Sequence, residues 1–300
     1  MLDASHMYQE ISANRQRTFF LFLFFLVLVI GLGYLFALVL KSSVILWVAV
    51  AFSLISAWAG YFYSDQLTLA VSGARPIRKQ DFPDLVRVVE NLAIADGIPT
   101  PKIYVIDDPS PNAFATGRNY QHAAIAVTTG LLSVLDKTEL EGVIAHELSH
   151  IKNYDILVAT AAVVLAGMVA MASDFFLRIN FWRGGRNRDE NQTAALFMII
   201  GLALAILAPI FATLMQLAIS RRREFLADAS GALLTRYPEG LISALQKISK
   251  SPQPLRRVSR ATAHLFIVNP LGKLGRGMAT LWSTHPPIEA RIEKLRKMEI

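Results

Sequence analysis

Residues 136–156 read DKTELEGVIAHELSHIKNYDI, and this stretch combines a helix start with a repeat of histidine. Asp136 or Thr138 can cap the helix, and Glu139 is favourable in its first turn. The segment HELSH at 146–150 places two histidines four residues apart, so both imidazoles lie on one helical face and can reach a single metal ion. The glutamate between them lies at the edge of that face, where it can touch a water molecule without binding the ion.

The chain has no cysteine, so a metal ion would have to be held by histidine and carboxylate groups. His146 and His150 supply two ligands, unless they are simply buried and satisfied within a core. Glu224 and Asp228 are spaced i, i+4 and offer a third. If Glu224 binds the ion, Asp228 on the same face can accept a hydrogen bond from the non-ligating nitrogen of a metal-bound histidine. The alternative is that both carboxylates are solvated charges beside an arginine cluster.

The composition indicates a membrane protein. Hydrophobic residues make up 53 % of the 300 residues and charged residues 18 %, which is more apolar side chain than a soluble core of this size needs. The formal net charge of +7 suits either nucleic acid or the anionic face of a membrane. Because the basic residues lie beside hydrophobic segments and no basic-aromatic tract resembles a nucleic-acid module, we expect a lipid bilayer as partner and no nucleic acid.

Apolar runs at 18–40, 44–63, 156–172 and 194–220 predict four hydrophobic helices. The first run is long enough to cross a hydrocarbon core of about 30 Å, and no small-residue cleavage site follows it. This pattern favours a retained anchor over a signal peptide. Only three residues separate the first run from the second, so the two should form an antiparallel hairpin.

Basic residues beside the runs predict their orientation. If every run crosses the membrane, three basic groups fall on one side, which should be cytoplasmic. The loop 178–193 carries four arginines and would lie on the other side. A shallow hairpin of the third and fourth runs is therefore the alternative to four crossings, which we favour. The three groups are Arg15 and Arg17; Arg75, Arg78 and Lys79; and Arg221, Arg222 and Arg223.

The segments between the runs have ordinary globular patterning. The period of apolar residues predicts helices at 84–96, 239–250 and 288–298, and short β-branched runs predict strands at 102–106 and 123–129. Residues 112–117 are either an edge strand or a surface loop. The stretch 251–285 is rich in loop-forming and basic residues.

Several of these motifs resemble those of the HtpX-type membrane zinc metalloproteases, the broader family that includes the prenyl-protein CAAX endoprotease. The resemblance covers nearly the whole chain: a hydrophobic hairpin, NAFATG at 112–117, HELSH at 146–150, a second hydrophobic pair, RREFLAD at 222–228 and STHPP at 283–287. It implies a mainly α membrane protein with four hydrophobic helices and a gluzincin-type α+β metalloprotease domain with a small sheet. That domain would comprise residues 64–155 and 221–300, between an N-terminal segment and hairpin at 1–63 and a second hairpin at 156–220.

The resemblance also implies a zinc metalloendopeptidase that holds one zinc ion per chain and cuts proteins at the cytoplasmic face of a bacterial inner membrane. His146, His150 and Glu224 would be the ligands and Glu147 the catalytic base. Substrate backbone would pair with an edge strand formed by Asn112, Ala113, Phe114, Ala115, Thr116 and Gly117. His285 and Arg291 would steady the oxyanion, unless His285 belongs only to the cap of the last helix.

A site against the membrane suggests membrane or misfolded proteins as substrates, in protein quality control and the stress response. The main rival is a membrane chaperone or adaptor without hydrolytic activity, in which zinc is structural. A fourth coordination position left open by three ligands, with Glu147 beside it, argues against that rival, because structural zinc sites are closed. A transporter is disfavoured, since the apolar runs lack the intramembrane charges of a translocation path.

Overall fold

The computed structural model describes residues 4–39, 41–183, 221–251, 265–268 and 286–298, together with the single residues 199 and 255. These residues form ten helices and four strands in addition to a short 3-10 turn at Tyr120–His122. In chain order the elements are α1 (Ala4–Val39), α2 (Val44–Phe62), α3 (Ser64–Val71), β1 (Ala74–Pro76), α4 (Pro83–Asp96), β2 (Lys102–Ile106), β3 (Ala113–Thr116), β4 (Ala124–Thr128), α5 (Thr129–Val134), α6 (Lys137–Lys152), α7 (Asp155–Arg183), α8 (Arg221–Thr235), α9 (Pro238–Lys250) and α10 (Ile288–Arg296).

Two helices of the described chain are long and apolar enough to cross a membrane. They are Ile11–Leu38 within α1 and Val44–Phe62, and their side chains are mostly exposed, as expected for surfaces that face lipid. The helices α1 and α2 pack against each other as the predicted hairpin, and both contact α7. Helix α1 starts well before the apolar run at 18–40, because residues 4–17 contain neither proline nor glycine to stop it.

The prediction of four hydrophobic helices is not confirmed. The third run lies in α7, which would count as a span only if α6 and the first part of α7 form one segment, although the chain bends by 81° between them. The fourth run, at 194–220, lies outside the described residues apart from position 199. The predicted loop at 178–193 was wrong in its first part, since α7 continues to Arg183 and residues 173–183 contain neither proline nor glycine.

The small sheet is mixed, with the strand order β1-β2-β4-β3. Strands β2 and β4 are parallel, while β1 and β3 pair antiparallel on the outer edges. The predicted strands at 102–106 and 123–129 are confirmed, and 112–117 contains an edge strand rather than a loop. Strand β1 was not predicted, because it has only three residues and ends in Pro76, which a sheet tolerates only at an edge.

Helix α6 lies at the centre of the water-facing part of the protein. It packs against α4, α8 and α9, and it contacts β3. Its apolar residues Val143, Ile144 and Leu148 are fully buried in one continuous core with the sheet and with α9. The predicted helix at 84–96 is confirmed, with Pro83 in its first turn and Gly97 in the left-handed conformation at its end.

Candidate metal centre

The start of α6 is fixed by a reciprocal pair of hydrogen bonds. The backbone N–H of Glu139 donates to Oδ1 of Asp136 at 3.0 Å, and the backbone N–H of Asp136 donates to Oε2 of Glu139 at 2.8 Å. Of the two predicted capping residues, Asp136 is therefore the cap. The capping box satisfies two helix donors and sets where the helix begins. His146 follows about two and a half turns after the first helical residue, Lys137.

Two histidines of α6 and one glutamate of α8 converge on one point. The Nε2 atoms of His146 and His150 lie 3.2 Å apart. Glu224 brings Oε1 to 3.6 Å from Nε2 of His150 and Oε2 to 3.9 Å from Nε2 of His146. These three residues are the cluster in the described chain whose donor atoms could hold one metal ion.

The spacing fits a small tetrahedral ion. Two ligands at about 2.05 Å from a zinc ion, at the tetrahedral angle, are about 3.3 Å apart. The 3.2 Å between the two imidazole nitrogens meets this requirement, while the carboxylate oxygens, at 3.6 and 3.9 Å, would have to move closer to bind the same ion. The three predicted ligands therefore form a group that could hold such an ion.

Asp228 holds the other side of the His146 ring. Its Oδ1 lies 2.9 Å from Nδ1 of His146, so that Nδ1–H donates and Nε2 keeps its lone pair for the ion. Arg291 contacts the same carboxylate through two nitrogens, Nε to Oδ2 at 2.8 Å and Nη2 to Oδ1 at 2.6 Å. Burial opposes ionisation of Asp228, but the charge and hydrogen bonds of Arg291 prevail and lower its pKa to about 2.

Arg291 lies beside the site rather than in the cavity. Its side chain is fully buried, and its Nη1 donates to the carbonyl of Ile267 at 2.9 Å. Three of its five N–H groups are used on Asp228 and Ile267, and its Nη1 lies 3.9 Å from Oε2 of Glu224, so the predicted oxyanion contact stays a prediction. The other residue predicted for that contact, His285, lies outside the described residues.

Asp155 contacts Nδ1 of His150 in the same way as Asp228 contacts Nδ1 of His146. The sequence analysis did not predict this role of Asp155. Its Oδ2 lies 2.9 Å from Nδ1 of His150. The two residues are five apart, which is not a helical neighbour spacing, and they meet only because the chain turns between α6 and α7. The sequence does place a carboxylate just after the HELSH helix, which could have indicated a partner for His150. The same residue is equally typical of a negative charge that stabilises the N-terminus of the next helix, α7.

The two histidines titrate in opposite directions. Burial lowers the pKa of His146 to about 4, against the opposing hydrogen bond of Asp228. Burial acts on His150 in the same sense, but there it is outweighed by the hydrogen bond to Asp155 and the charge of Glu224, which raise its pKa to about 9. In the metal-free protein at neutral pH, His150 therefore carries the proton that a metal ion would displace.

Gly231 allows α8 to approach α6 closely, and sequence reasoning missed this residue too. A Cβ at Gly231 would lie 2.9 Å from the backbone nitrogen of His146. Gly231 is three residues after Asp228 and seven after Glu224, so all three lie on the face of α8 that packs on α6. The absence of a side chain at this position sets the distance between the two carboxylates and the histidines.

Glu147 and the predicted edge strand both border the cavity in front of the ligands. Glu147 is only 2 % exposed, and the cavity is lined by this residue, the three ligand residues, Ala115 of β3 and Ile267. Ala115 therefore borders the same cavity as the ligands. The structure brings together the predicted ligands, the predicted base and the middle of the predicted edge.

Comparison with known proteins identifies the class. Residues 79–299 match peptidase family M48, and the chain belongs to this family. It is a membrane-associated metal-dependent peptidase, and its candidate membrane helices α1 and α2 precede the matched region. The resemblance noted from the sequence motifs is thus confirmed.

Proteins that match this chain over nearly its whole length define its class more closely. The chain is 48 % identical to the "Protease HtpX homolog" of Dictyoglomus thermophilum, covering 97 % of this chain and 94 % of that protein. It is 47 % identical to the "Protease HtpX homolog" of Tropheryma whipplei strain Twist, covering 97 % and 98 %. The crystal structure of S. mikatae Ste24p is similar with a TM-score of 0.48 and 18 % identity, covering 83 % of this chain and 57 % of that one.

Proposed function

We propose that the protein is a zinc endopeptidase in which His146, His150 and Glu224 hold the ion and Glu147 is the catalytic base. The observation that carries this proposal is the convergence of two imidazole Nε2 atoms, 3.2 Å apart, and one carboxylate beside a buried glutamate in one cavity. Two histidines and one glutamate are a typical ligand set of catalytic zinc, which leaves one position open. When bound, zinc supplies electrophilic activation of water and of a peptide carbonyl.

Glu147 has the position of a proton carrier. It follows His146 directly on α6, so its carboxylate lies at the edge of the ligand face and borders the cavity. Its carboxylate would take a proton from the attacking water and return it to the leaving amine. His146 and His150 stay fixed during this transfer, because Asp228 and Asp155 each hold one Nδ1–H.

We further propose that substrate pairs with the outer edge of β3, mainly at Ala115. In the antiparallel pairing of β3 with β4, the carbonyl of Asn112 accepts from the N–H of Thr128 at 3.0 Å. Since pairing groups alternate along a strand, the N–H and C=O of Ala113 and Ala115 point away from β4. A substrate strand could add to this edge through its main chain.

The chain itself occupies one end of that edge. The carbonyl of Ala113 accepts from the N–H of Ile267 at 3.0 Å, and the N–H of Ala113 donates to the side chain of Asn112 at 3.1 Å. At the other end, the N–H of Gly117 donates to Oγ1 of Thr160 at 3.2 Å. Of the outward groups in the described part of this edge, those of Ala115 are left for a substrate, next to the ligands.

The substrates we propose are unfolded or misassembled proteins, including membrane proteins, as in protein quality control. Main-chain pairing makes few contacts with the side chains of the substrate, which favours cleavage of many different sequences. The metal cluster lies close to the N-terminal end of α1, so the cavity would face the membrane surface. The basic residues near that end support a cytoplasmic orientation in a bacterial inner membrane.

The test is cleavage by the purified full chain in detergent. Glu147→Gln should retain one zinc per chain, measured by elemental analysis, and lose self-cleavage and cleavage of an unfolded protein. Glu224→Ala should lose both zinc and cleavage. Full activity of Glu147→Gln, or full zinc content of Glu224→Ala, would contradict the assignment. Failure to cleave a misassembled membrane-embedded protein, when a soluble unfolded protein is cleaved, would contradict the proposal that membrane proteins are among the substrates.

A further inference from the structure

The turn between α6 and α7 carries a residue of the metal centre on each side. His150 precedes it, Asp155 follows it, and the chain bends by 81° across it. Tyr154 within the turn has a φ of 60°, a conformation that non-glycine residues adopt only when the surroundings support it. The contact between His150 and Asp155 therefore depends on whatever holds this turn in place.

Asn14 of the first membrane helix holds the turn. Its Nδ2 donates to the carbonyl of Asn153 at 2.9 Å and to Oδ1 of Asp155 at 2.8 Å. The side chain of Asn14 is fully buried, at the cytoplasmic end proposed for α1. Both hydrogens of the amide are thus used on the turn, one on its backbone and one on the carboxylate that contacts His150.

The amide oxygen of Asn14 completes the network. It accepts from Nη1 of Arg223 at 2.9 Å and from Nη1 of Arg17 at 3.0 Å, and Arg223 also donates to Oδ1 of Asp155 at 3.1 Å. Arg223 is the neighbour of the ligand Glu224. Only a side-chain amide can donate twice and accept at the same time in this place; a carboxylate would lose the donors and an apolar residue would lose both.

We propose that Asn14 is a positioning residue of the metal centre, through which α1 fixes the Asp155 carboxylate on His150. One oxygen of Asp155 is bound by Asn14 and Arg223 and the other faces His150, so the carboxylate cannot rotate away from the ring. The first membrane helix is then part of the active site and not only an anchor. This inference rests on the proposed metal centre.

The experiment measures zinc affinity of the full chain in detergent by competition with a chelator, using the metal alone. Because partners of metal ligands change affinity by about 10- to 100-fold, Asn14→Leu should weaken zinc binding by about tenfold. Thr18→Val is the matched control. Thr18 is buried one turn along on α1, and its hydroxyl donates to the carbonyl of Asn14 within the same helix. It should change affinity less than twofold.

A double variant separates positioning from a general structural effect. Asp155→Ala should weaken zinc binding on its own, and adding Asn14→Leu should cause no further loss, because Asn14 acts through Asp155. Independent losses that add would overturn the proposal, as would unchanged affinity of Asn14→Leu. If the leucine variant does not fold, Asn14→Ala provides the same test, since it removes both amide donors without adding a charge beside Asp155.

The outcomes also distinguish an error in the role of Asn14 from an error in the proposed metal ligands. Failure of the unsubstituted chain to bind zinc would contradict the proposed ligands. Normal zinc binding by the unsubstituted chain and equally by Asn14→Leu would contradict only the role of Asn14.

Discussion

Gly231 of α8 packs directly on the backbone of His146, at a distance that leaves no space for a methyl group. A Cβ at Gly231 would lie 2.9 Å from the His146 nitrogen and 3.2 Å from its Cα. Both contact atoms belong to the main chain of a central helix and cannot rotate aside. Close helix packing is therefore a condition for the metal centre, because the same face of α8 carries Glu224 and Asp228.

Gly231→Ala should destabilise the protein and weaken zinc binding together. Overpacking typically costs about 1–3 kcal/mol, which exceeds the gain of up to about 1 kcal/mol from the better helix propensity of alanine. Denaturant unfolding and chelator competition would measure the two effects. The control is Gly167→Ala in α7, where a Cβ meets no atom of the described residues within 4 Å. A destabilisation shared equally by both variants would contradict the packing argument.

Arg291→Met should destabilise the protein by about 3–5 kcal/mol, because it removes the partner of a buried carboxylate. Both nitrogens that contact Asp228 are lost, while the carboxylate stays buried. The free energy of unfolding, measured by denaturant titration, should recover in large part when Asp228→Asn is added. If Asp228→Asn brings no recovery, the ion pair is not the reason for the loss.

Zinc affinity should rise with pH by about tenfold per unit between pH 6.5 and 9 and then level off, because binding displaces one proton. The proton comes from His150, whose pKa is raised to about 9 in the metal-free protein. His146 contributes none in this range, since its pKa of about 4 leaves it neutral. Chelator competition at several pH values measures the slope. Asp155→Asn removes a negative charge that raises the pKa of His150. In this variant, zinc affinity should therefore stop rising at a lower pH than in the unsubstituted protein.

Ala115→Pro should impair cleavage without affecting zinc affinity. Proline removes the outward N–H that a substrate strand would use and places a ring at the edge, while the pairing of β3 with β4 needs no N–H from this residue. We expect kcat/KM for an unfolded substrate to fall by at least about tenfold, given about 1 kcal/mol for the lost hydrogen bond plus steric exclusion. Ala115→Ser keeps the N–H and serves as the control. Unimpaired cleavage by the proline variant would exclude strand addition at Ala115.

Local patterns were sufficient to predict most elements of the water-facing part. The helix at 84–96 has proline and glycine at its ends and a regular apolar stripe, and the strands at 102–106 and 123–129 are short apolar runs between breakers. Strand β1 has no such pattern, and it forms because the outer edge of β2 offers it a partner. The prediction of a loop at 178–193, between the third and fourth apolar runs, was wrong up to Arg183, because no proline or glycine interrupts α7 after position 172.

Sequence patterns alone were sufficient to predict the kind of chemistry proposed for this protein. The helical period places His146 and His150 on one face and Glu147 beside it, and the absence of cysteine limits the further ligand to a histidine or a carboxylate. The groups that hold those ligands in place come from distant parts of the chain and became visible in the folded protein. Asp155 and Asn14 are 141 residues apart, and Arg223 is 209 residues from Asn14, so no local spacing could reveal that they meet. Their contact depends on how α1, α7 and α8 pack around one turn, which is a property of long-range packing and not of any single segment.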